Sequence, residues 1–284
     1  MALYFNYNKK SKIICETISI IFLSVFAIFT LLPLYFMIVS SFGDPVEAGD
    51  ATFTLFPRKF TLSSYFFFFN YSKYSYRWIL NSLIVASIVT ISNVIFASMA
   101  GYAFSKMKFP GRNRIFSILL FSMMVPYQVI QVPLYVLVVN TFQIPNTYLA
   151  LVLPDLCTVY NIFLAKQFIS TLPTAIIDSA KIDGCNQFQI FTKIILPLSK
   201  TVLSVMAILT FMGSWNSFLW PLLVTTSADM QTIQVGLTNF RFANTTYFAP
   251  MMAGATISAL PMFILFFSLQ KYFLQGVTIG AIKG

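Results

Sequence analysis

The chain has 284 residues, of which 58% are hydrophobic and only 9% charged, with a mean hydropathy of +0.79. A soluble domain carries about a quarter charged residues, so this chain lacks the polar groups to cover itself in water. Its 18 Lys and Arg against 8 Asp and Glu give a net charge of +10, and it has no His, which excludes His-based acid–base chemistry, His–Cys nucleophiles and most zinc sites.

Six apolar runs follow in chain order, at 14–42, 78–103, 115–139, 147–168, 200–224 and 250–273. Each reaches the roughly 20 residues that a helix needs to cross a bilayer. None shows the alternation of a membrane β-strand, and helices satisfy their own backbone in lipid. The expectation is an all-α integral membrane protein with six transmembrane helices. The first run follows Lys9, Lys10 and Lys12 like a signal peptide, but it exceeds the ~7–15 apolar residues of a cleavable one. It reads as a retained span. Before span two lies Tyr65-Phe66-Phe67-Phe68-Phe69, an aromatic segment suited to a membrane interface.

Span three contains Pro126 and Pro133, which remove helix hydrogen bonds, and places Tyr127, Gln128 and Gln131 at or near membrane depth. Span four carries Asp155, Thr158 and Asn161 at roughly helical spacing, and span five carries Trp215-Asn216-Ser217. Such groups face either a water-filled path or neighbouring helices that they tie together. Asp155 could also lie shallow enough to be wet. Cys15, Cys157 and Cys185 are odd in number and far apart, suggesting neither a disulfide framework nor a metal cluster.

The short loops set an orientation. Thirteen Lys and Arg fall on the side of both termini, among them Lys106, Lys108, Arg112, Arg114, Lys166, Lys181, Lys193 and Lys200, against five on the other side. Cytoplasmic loops carry that excess, so both termini are expected in the cytoplasm. The excess that in a soluble chain suggests nucleic acid is here an orientation signal, and no nucleic acid is expected as a partner. No Gly is followed by Lys, so no phosphate-binding loop of the usual kind is present.

The longest inner loop, 170–197, is the most informative segment. Ser170 or Thr171 can cap a helix that accepts Pro173 in its first turn. Ala180 and Gly184 fall four apart, leaving a small-residue face for close approach, and Gly184 can break the helix. Phe188, Phe191 and Ile195 repeat at i, i+3 and i+7 on a second short helix. The segment reads as a docking element or as an amphipathic helix on the membrane.

At this point the sequence resembles a family. Importer-type ABC permeases carry E-A-A, two residues, D-G-A, then I-x-L-P beginning ten positions after the Gly. This chain has Asp178-Ser179-Ala180, Asp183-Gly184-Cys185 and Ile194-Ile195-Leu196-Pro197 in register. Asp178, Ser179 and Cys185 depart conservatively. Asn81-Ser82-Leu83, Gly101-Tyr102-Ala103-Phe104, Phe109-Pro110-Gly111-Arg112, Trp215 to Leu222, Thr232 to Leu237 and the tail from Gln270 to Gly284 are similar to MalG-type carbohydrate permeases.

The resemblance implies a type I ABC importer permease fold in a bacterial cell membrane. It divides the chain into a cytoplasmic N-terminus at 1–13, a six-helix domain at 14–273 and a cytoplasmic tail at 274–284. The inner loop 170–197 would couple to an ATPase, and the outer loop 225–249 would engage an external solute-binding protein. Implied partners are a second, MalF-like permease, an ABC ATPase dimer, the binding protein and membrane lipid. By the same resemblance ATP and Mg would belong to the ATPase subunits, and this chain is expected to bind no cofactor and not to be an enzyme. Coupling falls to Asp178, Ser179, Ala180, Asp183, Gly184, Cys185, Ile194, Leu196 and Pro197, and the ATPase-facing tail to Gly280, Lys283 and Gly284. Tyr127, Gln128, Gln131, Asp155, Asn161 and Asn216 are candidates for the solute pathway. A sugar or oligosaccharide is the expected solute, with glycerol phosphate as the alternative. A secondary transporter coupled through Asp155 is a further alternative, although no inverted repeat supports it.

Overall fold

The computed structural model describes residues 9–45, 56, 59–241 and 247–281. They fall into two compact units, one built from 1–71 with 240–257 and the other from 72–239 with 258–284.

In the first unit, helix α1 (Lys9–Ser41) is apolar all round, and its residues from Ile13 to Leu32 are exposed. A helix of that kind needs hydrocarbon or another subunit to cover it. Helix α2 (Ser63–Tyr71) contains the aromatic run. The run divides by face. Phe68 is fully buried and stacks on Phe240 with ring centroids 5.5 Å apart, and Phe67 meets Tyr247 at 5.0 Å. Phe66 and Phe69 point outward, the side available to an interface. Tyr65 Oη lies 2.7 Å from Ser41 Oγ, tying α2 to the end of α1.

The second unit is organised on α3 (Ser75–Lys106), against which α7 (Val159–Ser170) and α11 (Lys200–Trp215) pack. The buried side of α3 carries Ala86, Val89, Asn93, Ala97 and Gly101 at three- and four-residue steps. Small residues at that spacing let helix backbones approach closely. At Gly101 the approach is closest: a Cβ there would stand 2.5 Å from Ala165 Cβ and 2.8 Å from the Lys166 amide nitrogen. The core is in two parts. One gathers Ala97, Tyr102 and Ala165 with Ile177, Ala180, Ile190 and Ile195 from the inner loop. The other joins Val85 and Val89 to Val138, Ala150, Trp220 and Val224.

Three spans are continuous helices, Ile13–Ser41, Ser75–Lys106 and Phe248–Gln270, the last lying within α14 (Phe248–Ala281). Three more are bent pairs, so six spans result when each pair counts once. Span three turns by 92° between α4 (Arg112–Ser122) and α5 (Tyr127–Tyr135), with Pro126 at the start of the second arm. After Pro133 the helix widens into a π-helical stretch, Val136–Thr141. Span four bends by 44° between Tyr148–Asp155, which begins as α6 (Tyr148–Val152), and α7. Pro154 has no N–H to give the Ala150 carbonyl; the Trp220 indole N–H donates to that oxygen instead, at 3.1 Å.

Span five differs from expectation. The apolar run 200–224 is not one helix: α11 ends at Trp215, and Leu219–Val224 forms a separate α12. The ladder is interrupted at Asn216-Ser217-Phe218, and Pro221 falls in the first turn of α12, where its missing N–H costs no intrahelical bond. The bent pair lies upstream, where Gln187–Leu198 meets Lys200–Trp215 at 80°.

Candidate coupling loop and polar span interior

The inner loop starts with α8 (Thr174–Ile182), entered through Pro173 at φ −60° and ψ 129°. The expected cap from Ser170 or Thr171 is not made. Both hydroxyls turn back onto α7, Ser170 Oγ donating to Gln167 O at 2.7 Å and Thr171 Oγ1 to Phe168 O at 2.8 Å. A hydroxyl in the last turn of a helix finds such local carbonyls readily.

Helix α8 stops in a left-handed turn. Gly184 sits at φ +82°, its N–H donates to Lys181 O at 3.0 Å, and the Cys185 N–H donates to Ala180 O at 2.9 Å. This pair of bonds satisfies the last carbonyls of the helix and favours Gly at that position. The expected common face of Ala180 and Gly184 is not formed. Ala180 is buried in the inner core, whereas Gly184 is exposed with no heavy atom within 4 Å of a would-be Cβ. The left-handed turn carries Gly184 out of helical register.

The next helix, α9 (Gln187–Ile190), opens with a capping box. Asn186 Oδ1 accepts from the Gln189 N–H and Gln189 Oε1 accepts from the Asn186 N–H, both at 2.9 Å. It continues as a π-helical stretch, Phe191–Ile195, and then α10 (Leu196–Leu198). The expected face of Phe188, Phe191 and Ile195 is broken: Phe191 and Ile195 are buried, but Phe188 is 67% exposed and Ile190 takes the inward place. Phe188 lies in the first turn of α9, ahead of the π-helical stretch that holds Phe191 and Ile195.

The signature residues therefore divide. Ala180 is buried, and Cys185, Ile194 and Leu196 pack against the same core. Asp178, Ser179, Asp183, Gly184 and Pro197 are exposed. Asp178 pairs with Lys181 at 3.2 Å, and Ser179 Oγ donates to Ala175 O. The outward apolar surface is made by Ile176, Ile182 (87% exposed) and Phe188. Ile176 and Ile182 were missed in the sequence because the α-helical count cannot say which side of α8 meets the bundle.

Two contacts fasten this loop to α3. Tyr102 Oη donates to Gln187 Oε1 at 2.8 Å. Lys106 Nζ donates to Leu172 O at 2.5 Å and Ser170 O at 3.3 Å, so a residue read as an orientation charge also caps the end of α7.

The polar groups of the spans are organised by Asn93, a residue without an evident motif. Its Nδ2 donates to Val89 O at 2.9 Å and Asp155 O at 2.5 Å, and its Oδ1 accepts from Thr158 N, Thr158 Oγ1 and Asn161 Nδ2 at 2.8–3.0 Å. Asn161 Nδ2 also donates to Thr210 Oγ1 at 2.8 Å. Asn161 is thus held between helices, with its Oδ1 buried and unbonded. The Tyr127 hydroxyl lies near Gln131, which is buried, and within electrostatic range of Asp155. Spans three and four therefore bring these three candidates together. Gln128 is exposed, and Asn216 stands apart, accepting from Gln234 Nε2 at 3.5 Å.

On the opposite side, the start of α3 holds the segment after α12. Trp78 Nε1 donates to Ala228 O, and Asn81 Nδ2 to Asp229 O and Gln231 O, all within 2.9 Å. The Ile233 N–H donates to Ser82 Oγ at 2.8 Å, opening α13 (Ile233–Thr238). The Ser227 hydroxyl hydrogen-bonds the Asp229 carboxylate and, with Arg77 at 3.7 Å and Lys73 nearby, holds its pKa below the usual value. Within the expected outer loop 225–249, residues 242–246 lie outside the described residues, as do Lys283 and Gly284 of the tail; the backbone of α14 includes Gly280.

Residues 93–279 match a family described as the binding-protein-dependent transport system inner membrane component. The arabinooligosaccharides transport system permease protein AraQ of Halalkalibacterium halodurans is 36% identical over 270 residues, covering 94% of this chain and 95% of that protein. The AraQ protein of Bacillus subtilis is 34% identical, covering 93% and 94%. An sn-glycerol-3-phosphate transport system permease protein, UgpE of Escherichia coli, is 29% identical, covering 87% and 90%. A crystal structure of a bacterial ABC transporter involved in the import of the acidic polysaccharide alginate has a chain that superposes with a TM-score of 0.80. It covers 94% of this chain and 99% of its own length at 22% identity, a likeness of fold.

Proposed function

The chain belongs to the family of inner membrane components of binding-protein-dependent transport systems, and from that premise we propose that it forms part of the path by which a bacterial ABC importer takes up a neutral sugar or oligosaccharide. It is a multi-pass membrane permease and not an enzyme; ATP is hydrolysed by separate subunits. Such a permease works with a second permease, an ATPase and a solute-binding protein. That the second permease is MalF-like, that both termini are cytoplasmic, and that the domain limits are 1–13, 14–273 and 274–284 are parts of the proposal.

The observation that carries the coupling role is the exposed turn at Gly184 flanked by Ile176, Ile182 and Phe188, built on Ala180 and Cys185 in the bundle core. An apolar projection anchored to a packed core can enter a groove on an ATPase. A rigid element seated in such a groove converts ATPase closure into rotation of the spans. Lys283 and the tail from Gly280 are proposed to reach the same ATPase dimer, and 225–249 to meet the binding protein. The test is solute-stimulated ATP hydrolysis by the assembled complex carrying Gly184→Trp. Retained membrane assembly with lost stimulation is expected; normal stimulation rejects the coupling role.

For the solute, Tyr127, Gln131 and Asp155 supply an aromatic face, an amide and an acid. Residues 115–165 contain no Lys or Arg, so this chain offers a phosphate no cation there. That favours a neutral sugar over glycerol phosphate, and the names of the AraQ relatives agree. Identifying the solute held by the cognate binding protein decides between them.

A further inference from the structure

The loop joining α3 to α4 forms a cleft of about 600 Å³ lined by Lys108, Phe109, Gly111, Arg112, Asn113 and Arg114. The chain has no Asp or Glu between residues 51 and 154. Among the described residues, Lys108 and Arg114 have neither a hydrogen-bond nor an ion-pair partner. Arg112 is fixed by its donation to Met107 O at 2.9 Å. The cleft is therefore a cationic site whose charge is not answered within its own loop.

An apolar stripe leaves the same cleft. Gly111, part of its lining, has Ile115 Cδ1 3.8 Å from where a Cβ would stand. From Ile115 the stripe continues through Ile118 and Phe121, three residues apart on α4 and exposed to 46%, 67% and 68%. Helix α4 buries none of its residues and forms the first arm of span three. A cation cluster that opens onto the exposed apolar surface of a membrane-span arm fits a ligand with an anionic head and an apolar tail. A soluble acidic subunit could meet the cations but could not follow Ile118 and Phe121 into the bilayer.

We propose that the cleft and stripe hold an anionic phospholipid, with its phosphate against Lys108 and Arg114 and an acyl chain along Ile115, Ile118 and Phe121. The inference rests on the membrane-spanning reading of the chain and is independent of the solute. Juxtamembrane Lys and Arg strengthen attachment to anionic lipid by about fivefold each.

The test uses the full importer complex, purified in detergent, stripped of lipid and titrated with phosphatidylglycerol or phosphatidylcholine, with retained lipid counted by native mass spectrometry. Phosphatidylglycerol is expected to be retained in preference. The variant combining Lys108→Gln with Arg114→Gln should weaken its retention roughly 30-fold, and Ile118→Asn should weaken it with the cations intact. Both are exposed changes, and co-purification of the partner subunits reports on folding. Equal retention of the two lipids, or unchanged retention in the double variant, overturns the proposal. Displacement by millimolar inorganic phosphate identifies a free-anion site and overturns it, as does loss of the ATPase with lipid retention unaltered. Whether the chain needs detergent for extraction tests the membrane reading separately.

Discussion

The Tyr102 phenol donates to Gln187 Oε1 at 2.8 Å across 85 positions of sequence, joining the end of α3 to the first residue of α9. Tyr102 is buried, and its ring lies 5.8 Å from that of Phe191. The contact connects the longest span of the second unit to the loop proposed to meet the ATPase. A hydrogen bond of this kind contributes about 1 kcal/mol net. Tyr102→Phe should leave assembly intact and lower solute-stimulated ATP hydrolysis by about two- to fivefold. Gln187→Met should do the same, and combining the two should cost no more than either alone. Additive losses show that the residues act separately.

Gly184→Ala separates backbone strain from obstruction. With nothing within 4 Å of a Cβ, alanine meets no clash, and the left-handed conformation costs it roughly 1–2 kcal/mol. Thermal stability should fall slightly, with most stimulated hydrolysis retained, while Gly184→Trp abolishes it. Equal activity in the two variants rejects a docking surface at this turn.

Gly101 allows no such latitude. A Cβ lies 2.5 Å from Ala165 Cβ and 2.8 Å from backbone nitrogen, so Gly101→Ala must push α3 and α7 apart. Overpacking of this order costs about 1–3 kcal/mol. The detergent-solubilised complex should unfold at lower temperature, and Ala165→Gly should restore only part of the loss because the Lys166 amide remains. Full rescue places the strain in the side chain alone.

Asn93→Leu should weaken the bundle more than Asn161→Leu. It removes the partner of the Thr158 N–H and hydroxyl and of the Asp155 carbonyl, and one of the two bonds of the Asn161 amide. Interhelical bonds within membranes average about 0.6 kcal/mol each, so a loss of roughly 2 kcal/mol is expected in unfolding of the complex. A smaller effect than that of Asn161→Leu contradicts a central role for Asn93.

The Asp229 cluster sets a pH dependence. Its folded pKa lies below the ordinary 3.8 because the Ser227 hydroxyl and, less strongly, Arg77 and Lys73 favour the carboxylate. Stabilisation is therefore full above 3.8 and is lost as pH falls through the lower folded value. Amide exchange in residues 227–233 should rise below pH 4 in the native chain, and Asp229→Asn should abolish that rise. Since Asp229 and Arg77 are solvent-accessible, added salt should weaken the effect. A pH response unchanged by Asp229→Asn assigns it elsewhere.

Local signals carried well. The six apolar runs, the prolines of spans three and four and the helix-breaking Gly184 each express chemistry contained in a few neighbouring residues. The Asn186–Gln189 capping box was equally local and readable from its four-residue spacing, yet the larger pattern around Gly184 obscured it. The errors arose where one periodicity was extended past a break. The fifth run was carried across the break at 216–218, and the apolar face of the inner loop was carried back to Phe188, which lies exposed at the start of α9 while Phe191 and Ile195 are buried.

Composition and apolar run lengths by themselves determined a helical membrane protein, because the lack of water in a bilayer leaves a buried backbone few alternatives. The register around Gly184 resembled a permease family, to which the comparisons assign the chain. Only the tertiary structure decided that Ala180 faces the core while Ile176 and Ile182 face outward, that Asn93 binds the polar stripe of span four, and that Lys106 caps α7. Each depends on which helix lies against which, and groups distant in sequence acquire partners only when packing brings them within a hydrogen-bond length.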